Sequence, residues 1–521
     1  MSYHRISAEE AALNGMSVAV YAATRPDESA VADQHGREYS WHELNAAANQ
    51  LAHLFRDLGL GRGDGVALLS SNRAEFALVI AACMRSGVRL TPINWHLTGE
   101  EVGYILDNCD AQVFITEQRF ADAALEAVTH TDKLKACLTY DGNLPGFENL
   151  WEALAAHSNE NVADPVHGNW MLYTSGTTGR PKGVHVKERP PNLPNPDRSH
   201  TLDTVALCTG PAYHAAPLAI DVVATIVSGG KLVLMDRFEP EMTLQLIHDH
   251  RVTHTHMVAT MFHRMLQLDE STRSNYNVSS LRSVVHGAAP CPVHVKHAMI
   301  DWFGPVLLEY YAATEGGGGF LIDSEEWLRK PGSVGCPGPE FDNRILDDEG
   351  NEVPVGETGT VYMRAPDRVG RFEYYKDSEK TESSYRGEYF TLGDMGYFDE
   401  DGYLFLTGRT AELIISGGVN IYPQDVDTVI MQHPAVHEVC TIGVPNDEWG
   451  EEVKSVVQLN PGIEPSDAVA EDIIAFAREH IAHYKCPRTI DFANSLPRLP
   501  TGKIQRRLVR DPYWADRDKS I

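Results

Sequence analysis

A short stretch combines glycines, hydroxyl side chains and a lysine in an order that suits phosphate binding. An apolar strand end, Met171 to Tyr173, is followed by Thr174, Ser175, Gly176, Thr177, Thr178, Gly179, Arg180, Pro181 and Lys182. Glycines take positive φ without strain, so the backbone N–H groups of such a turn can surround an anion. The hydroxyl groups and Lys182 add donors and charge, and the stretch predicts a loop for nucleotide phosphates. A mobile surface loop is the alternative.

Two later segments carry groups that suit the rest of a nucleotide and its metal. Gly287, Ala288 and Ala289 follow an apolar run and His286, and their small size lets a flat ring or chain lie against the backbone. A tight strand-to-helix turn is the other interpretation. Glu315 stands between aromatic residues and the run Gly316 to Gly319. A carboxylate is a ligand that Mg²⁺ prefers, although a solvated loop glutamate remains possible here.

These segments resemble the motifs of the adenylate-forming superfamily, which contains acyl-CoA synthetases, luciferases and the adenylation domains of nonribosomal peptide synthetases. The resemblance implies that residues 174–179 and Lys182 bind ATP, and that Thr174 and Glu315 also take part in catalysis. Thr314 would contact the α-phosphate and Glu315 would hold Mg²⁺. The implied ATP site further includes Gly287, Ala288, Ala289, Tyr311, Ala312, Asp394, Arg409 and Lys503. Ala312 departs from the glycine that is usual in the family.

The C-terminal third resembles the remaining superfamily motifs. Tyr389 to Asp394 is similar to the motif whose aspartate accepts hydrogen bonds from both ribose hydroxyls, and Arg409 matches an arginine that reaches the ribose or phosphate. Ser416, Gly417 and Gly418 match a loop that lines the tunnel for coenzyme A, where adjacent glycines permit close approach. Lys503 matches the catalytic lysine of the C-terminal motif.

The acyl site is the least specific part of the resemblance. His214 occupies the place where the family puts an aromatic residue or histidine at the mouth of the acyl pocket, although a lone histidine is more often structural. His214, Gly287, Gly316 and Gly317 are the residues expected to line this pocket. Because missing side chains leave volume, we expect an apolar substrate: a medium- or long-chain fatty acid or a bulky ring-bearing acid.

Length, charge and cysteine usage limit the class of protein. The chain has 521 residues, with 44 basic against 73 acidic side chains and a net charge of −29, which argues against nucleic-acid binding. Eight scattered cysteines suggest neither a disulfide framework nor a zinc site. The N-terminus lacks a signal-peptide pattern, and the longest apolar run, residues 76–84, is too short to span a membrane. We therefore expect a cytoplasmic protein. We also expect it to be a monomer or a homodimer.

The elements that position these residues follow an α/β pattern. Ser40 with Glu43 and Thr98 with Glu101 are capping boxes that predict helix starts. Strands are expected at 66–69, 88–93 and 112–116, and a helix from about 72 to 85 lies between the first two. Such alternation predicts mostly parallel sheets covered by helices. We expect a large N-terminal domain (1–408), a hinge (409–412) and a small, mobile α+β C-terminal domain (413–521).

The resemblance implies an ATP-dependent ligase that joins a carboxylic acid to coenzyme A through an acyl-adenylate, releasing AMP and pyrophosphate. Its partners would be the small-molecule acid, ATP, Mg²⁺ and coenzyme A. The principal alternative is a ligase that loads a carrier protein with the same acyl-adenylate. A luciferase-like oxygenase and a nucleotide-binding sensor without turnover are further alternatives. The presence of Glu315 and Lys503 argues against the sensor.

Overall fold

A computed structural model describes residues 3, 6–174, 181–187, 189–194, 200–289, 291–366, 370–409, 412–416, 419–446, 449–499 and 502–515. Its α-helices are α1 Ala8–Leu13, α2 Ser17–Thr24, α3 Trp41–Asp57, α4 Ala74–Ser86, α5 Gly99–Asn108, α6 Ala121–Ala127, α7 Leu150–Ala155, α8 Ala224–Ser228, α9 Pro240–His250, α10 Ala259–Leu266, α11 Glu270–Ser274, α12 Val293–Phe303, α13 Ser324–Arg329, α14 Ser378–Ser383, α15 Pro423–Ile430, α16 Asp467–His480 and α17 Arg506–Trp514.

The strands alternate with these helices along the first half of the chain. They are β1 Ser29–Asp33, β2 Glu38–Ser40, β3 Gly65–Leu69, β4 Arg89–Ile93, β5 Ala111–Glu117, β6 Ala136–Tyr140, β7 Glu148–Asn149, β8 Asn169–Trp170, β9 Leu172–Thr174, β10 Lys182–His185, β11 Val205–Cys208, β12 Lys231–Leu234, β13 His254–Met257, β14 Ser283–His286, β15 Leu307–Tyr311, β16 Phe320–Asp323, β17 Cys336–Pro337, β18 Asp342–Leu346, β19 Gly359–Arg364, β20 Glu373–Tyr374, β21 Tyr385–Arg386, β22 Tyr389–Phe390, β23 Asp394–Phe398, β24 Leu404–Arg409, β25 Ile414–Ser416, β26 Val419–Ile421, β27 Val436–Asn446, β28 Gly450–Leu459 and β29 Thr489–Phe492.

Local sequence signals place the first helices. The Ser40 side chain accepts from the backbone N–H of Glu43, while the Glu43 carboxylate accepts from the backbone N–H of Ser40, so α3 begins with a complete capping box. Thr98 and Glu101 form the same arrangement at the start of α5. Both boxes satisfy N–H groups that a helix start would otherwise leave without partners. The predicted helix starts are confirmed.

The chain divides into two compact units. The first contains residues 1–287, 297–317 and 365–383, and the second contains residues 288–296, 318–364 and 384–521. Two residues of the predicted hinge, Arg409 and Glu412, belong to the second unit, whereas residues 410 and 411 lie outside the described residues. The role of the hinge as a pivot stays a prediction.

The first unit contains two largely parallel sheets. In one, the strand order β15-β14-β13-β11-β12-β1 is parallel throughout, and β2 adds an antiparallel edge. The other has the order β7-β6-β5-β3-β4-β8, and every pair in it is parallel. A small antiparallel sheet, β20-β10-β9, completes this unit. The prediction of parallel sheets with helices between their strands is confirmed.

The second unit is built mostly from antiparallel strands. β18 to β24, without β20, form a sheet in which β23 and β24 run antiparallel. A further sheet, with β26-β25-β28-β27 in order and β29 beside β28, uses only residues beyond 413. Its core contains Ile414, Val426, Val439, Val457 and Ile473, all of which are buried. The predicted small α+β region is therefore present.

Candidate active site

The predicted phosphate loop begins and ends in a pair of antiparallel strands. Thr174, the last residue of β9, is the register partner of Lys182, the first residue of β10. Ser175, Gly176, Thr177, Thr178 and Gly179 lie outside the described residues. Because β9 and β10 pair, Lys182 returns to the position where the loop leaves the sheet. This geometry suits a loop that closes around an anion.

Tyr374 links Lys182 to Glu315. Its hydroxyl donates to Oε1 of Glu315 over 3.1 Å, and the Nζ atom of Lys182 lies 5.6 Å from the centre of its ring. Tyr374 is in β20, which pairs with β10, and this pairing brings the ring beside the lysine. The structure thus joins two predicted motifs through a residue that sequence reasoning missed. No local pattern marks Tyr374, because its role follows from strand pairing.

The surroundings of Glu315 fit one carboxylate of a magnesium site. The residue is 6% exposed and lies in a turn where the N–H of Ala313 donates to the carbonyl of Gly317 over 3.1 Å. Among the described residues, no cluster of three or more histidine, cysteine, aspartate or glutamate side chains could hold a metal alone. Magnesium in phosphate-transfer sites is bound by one or two carboxylates together with substrate phosphates. A single carboxylate beside a phosphate loop matches that pattern.

Gly287 and Gly316, two of the glycines predicted to line the acyl pocket, are constrained by different structural features. A Cβ atom at Gly287 would lie 2.6 Å from the ring and from the carbonyl oxygen of Tyr310, so this glycine permits close packing against Tyr310. Gly316 adopts a φ of +99°, which favours glycine over other residues. Ala288 has a φ of +65°, a left-handed conformation that is uncommon outside glycine. The assignment of Gly287, Gly316 and Gly317 to an acyl pocket stays a prediction.

In the second unit, Asp394, Arg409 and Lys503 lie near one another. Asp394 and Lys503 come from two separate predicted motifs, and Arg409 comes from the predicted hinge. Asp394 and Arg409 are register partners on β23 and β24, with Nε of Arg409 2.8 Å from Oδ1 of Asp394. Burial, followed by the nearby charge of Arg409, lowers the pKa of Lys503, while Glu412 and Asp394 act in the opposite direction. Lys503 therefore lies in a partly buried group of charges with the predicted ribose-binding residues.

Glu412, the last residue of the predicted hinge, forms an ion pair with an arginine that is close to Lys503 in the chain. Nε of Arg506 lies 3.1 Å from the Glu412 carboxylate, and another guanidinium nitrogen lies 2.9 Å from Asp427. Arg506 also donates to the carbonyl oxygen of Thr441. Ser416 ends β25 and pairs with Gly450, whereas Gly417 and Gly418 lie outside the described residues.

His214 is half-buried in the first unit. Its ring lies 4.7 Å from the ring of Tyr213, and burial lowers its pKa to about 4, so the imidazole is neutral at physiological pH. Its Nε2 atom has no hydrogen-bond partner among the described residues. The side chain can therefore offer an uncharged polar atom to a ligand. Its role at the mouth of the acyl pocket stays a prediction.

Comparison with known proteins defines the class. The AMP-binding enzyme family matches residues 18–372, and the AMP-binding enzyme C-terminal domain matches residues 425–503. The chain therefore belongs to the adenylate-forming superfamily of AMP-binding enzymes. The prediction made from the motifs is confirmed.

Individual relatives support the same class. The chain is 31% identical to the long-chain-fatty-acid–CoA ligase FadD13 of Mycobacterium tuberculosis, covering 91% of this chain and 93% of that protein. It is 29% identical to the fatty acid–[acyl-carrier-protein] ligase ScoC of Streptomyces coeruleorubidus, with 93% and 94% covered. The crystal structure of ATP-bound MatB from Rhodopseudomonas palustris is 27% identical and superposes with a TM-score of 0.80 over 96% of this chain and 99% of that chain.

No helix within the described part of the chain has both the length and the apolar character that crossing a membrane requires.

Proposed function

We propose that this protein activates a carboxylic acid with ATP and transfers the acyl group to coenzyme A. The main observation behind the proposal is that Glu315 and Lys182 both contact Tyr374, the first through its hydroxyl and the second over its ring. This contact supports a candidate metal carboxylate, Glu315, close to the cation of Lys182 at one end of the predicted phosphate loop. The ligase names of FadD13 and ScoC and the bound ATP of MatB point in the same direction.

In the first step, a carboxylate oxygen attacks the α-phosphorus of ATP, and the bond to the β-phosphate oxygen breaks. The products are an acyl-adenylate and pyrophosphate. Because the nucleophile is already an anion, this step needs no general base. Lys182 and Lys503 would supply positive charge to the phosphates, the kind of fixed electrostatic stabilisation that dominates phosphoryl transfer. Glu315 would hold Mg²⁺, which offsets phosphate charge when bound.

In the second step, the thiol of coenzyme A attacks the carbonyl carbon of the acyl-adenylate. The thiol proton passes to solvent, and the C–O bond to AMP breaks. Adenylation makes this transfer possible because AMP is a far better leaving group than oxide. Ser416, at the end of β25, would lie on the path of the thiol arm. The family expectation of two orientations for residues 413–521, one for each step, belongs to this proposal.

A carrier protein is the second candidate acceptor, and the similarity to ScoC favours it specifically. Free coenzyme A and a phosphopantetheine-bearing carrier protein present the same thiol arm, so the two must be compared directly. The test is a panel of carboxylic acids, scored first by ATP-dependent pyrophosphate release and then by thioester formation with each acceptor. Thioester formation with free coenzyme A supports the proposal. Transfer to the carrier protein alone would replace it with the second candidate.

A further inference from the structure

Four parallel strands of the first unit end with polar side chains at neighbouring positions. Cys208 ends β11 and His286 ends β14, while His256 and Tyr310 are the penultimate residues of β13 and β15. These strands lie side by side in the order β15-β14-β13-β11. In parallel α/β sheets, ligands bind outside the carboxyl ends of the strands. This edge is therefore where the first unit would receive the acyl part of a substrate.

His256 and Tyr310 form a hydrogen-bonded pair in which one polar hydrogen has no acceptor among the described residues. Nε2 of His256 lies 3.1 Å from the Tyr310 hydroxyl, and Nδ1 has no partner among the described residues. Burial lowers the pKa of His256 to about 4, so its ring is neutral and carries one N–H. If the tyrosine donates, the N–H on Nδ1 lacks an acceptor. If the histidine donates, the tyrosine O–H lacks one.

Asp221 adds a second donor to the same group. It lies in a π-helical turn, Pro217–Val223, and is 1% exposed. Burial raises its pKa well above the usual range, which favours the uncharged, protonated form of the carboxyl group. The Cys208 thiol donates to the carbonyl oxygen of Gly210, and Oδ2 of Asp221 has no hydrogen-bond partner among the described residues. A protonated carboxyl group has one O–H, which Asp221 could donate to a ligand from this position.

The His256–Tyr310 pair and Asp221 lie in the same part of the first unit. The His256 backbone lowers the pKa of Asp221 against the larger effect of burial, and Asp221 acts electrostatically on Tyr310, whose pKa is raised mainly by burial. A π-helical turn such as Pro217–Val223 is frequent at functional sites. A buried donor without an acceptor is unfavourable unless a ligand supplies one. An ammonium group brings no acceptor, and a methylene group brings no polar partner at all.

We propose that the acid used by this protein carries an uncharged oxygen acceptor on its skeleton, as a keto, hydroxyl or ether group, which His256, Tyr310 and Asp221 bind. This inference rests on the proposed function and refines its substrate class. The substrate would keep the apolar body expected from the sequence, and it would carry the oxygen at the position that reaches these three side chains. The three side chains would then determine specificity without touching the reacting carboxylate.

The test compares acids that differ by one oxygen. Each pair replaces a methylene with a carbonyl, or a methyl with a methoxy group, at successive positions of linear and aromatic acids. kcat/KM is measured by ATP-dependent pyrophosphate release. At the matching position, we expect the oxygen-bearing acid to be preferred by about tenfold or more, since one unmet buried donor is enough for such a difference.

Variants show which residues produce the preference. Asp221→Leu removes one donor, and the double variant His256→Leu/Tyr310→Phe removes the other, so each should lower the preference. Tyr140→Phe is the matched control, because Tyr140 ends β6 of the other parallel sheet, is buried, and has a hydroxyl that contacts Ser70. This control should keep the wild-type preference. If these variants do not fold, the comparison of paired acids on the wild-type protein still tests the proposal.

Failure of this inference differs from failure of the proposed function. Pyrophosphate release that is equal for both members of every pair would overturn the inference and leave the ligase intact. Preference for an acid bearing an ammonium group would also overturn it, because Asp221 would then act as an anion. Pyrophosphate release with none of the acids would instead refute the proposed function.

Discussion

Arg409 and Asp394 face each other across neighbouring strands, with the arginine Nε atom 2.8 Å from the carboxylate Oδ1 atom. The arginine side chain is 40% exposed and the aspartate side chain 11% exposed. Ion pairs with such access to water contribute about 0–1 kcal/mol to stability. The pair therefore matters mainly because it orients two residues that resemble the ribose-binding residues of the superfamily.

We expect Asp394→Asn to raise the KM for ATP about tenfold or more, because a hydrogen bond to a charged group is worth about 1.5–3 kcal/mol. The melting temperature should change little. Asp399→Asn is the control, since it removes an ion pair with Lys330 in the same unit, with Oδ2 of Asp399 2.8 Å from the lysine nitrogen. Steady-state kinetics over a range of ATP concentrations measure both variants. An unchanged KM in Asp394→Asn would contradict a ribose-binding role.

The hinge prediction separates the two half-reactions. Lys503→Ala should slow adenylation about a hundredfold or more, because one preorganised charge is lost, and should leave thioester formation from supplied acyl-adenylate intact. Ala411→Pro fixes φ near −65° and restricts the preceding residue. It should preserve adenylation and block thioester formation. The measurement is each half-reaction by itself, and equal loss of both steps in both variants would show that the C-terminal domain does not alternate.

Glu315→Gln should impair the use of Mg²⁺ and ATP while the fold stays intact, because the amide keeps the size of the side chain and loses its charge. Tyr374→Phe is the matched variant, since it removes the hydroxyl that donates to Glu315 and retains the carboxylate. We expect a milder effect there. Pyrophosphate release is measured across a Mg²⁺ titration. Wild-type activity of Glu315→Gln at every Mg²⁺ concentration would exclude a metal-binding role.

His256 predicts a loss of stability in acid. Burial lowers its folded-state pKa to about 4, below the value of 6.5 for an ordinary histidine. The unfolded chain therefore binds a proton first, and stability falls as the pH drops from about 6.5 towards 4. At pH 5.5, the loss from this residue amounts to about 1.4 kcal/mol.

The measurement is the melting temperature between pH 7.5 and 5 for the wild type and for His256→Gln. The variant should show a weaker dependence on pH, whatever its stability at pH 7.5. His42→Gln changes an exposed histidine in α3 and should follow the wild-type curve. Parallel curves for all three proteins would mean that His256 does not remain neutral in the folded state.

The sequence by itself determined where helices α3 and α5 begin and which class of enzyme this protein belongs to. Ser40 with Glu43 and Thr98 with Glu101 predicted the starts of α3 and α5, because a capping box is formed by residues three positions apart. The run from Thr174 to Lys182, together with Glu315, Asp394 and Lys503, was sufficient to predict an adenylate-forming enzyme. In each case the signal was a short stretch whose chemistry depends on residues close together in the chain.

Only the tertiary structure decided which distant residues share a site. Tyr374 reaches Glu315 and Lys182 because β20 pairs with β10, and no spacing in the sequence states that pairing. The small residues predicted an apolar acyl pocket, and only the fold brings His256 of β13 and Tyr310 of β15 into hydrogen-bond contact. Parallel strands are joined by long crossovers, so strand order and register depend on packing of the whole sheet.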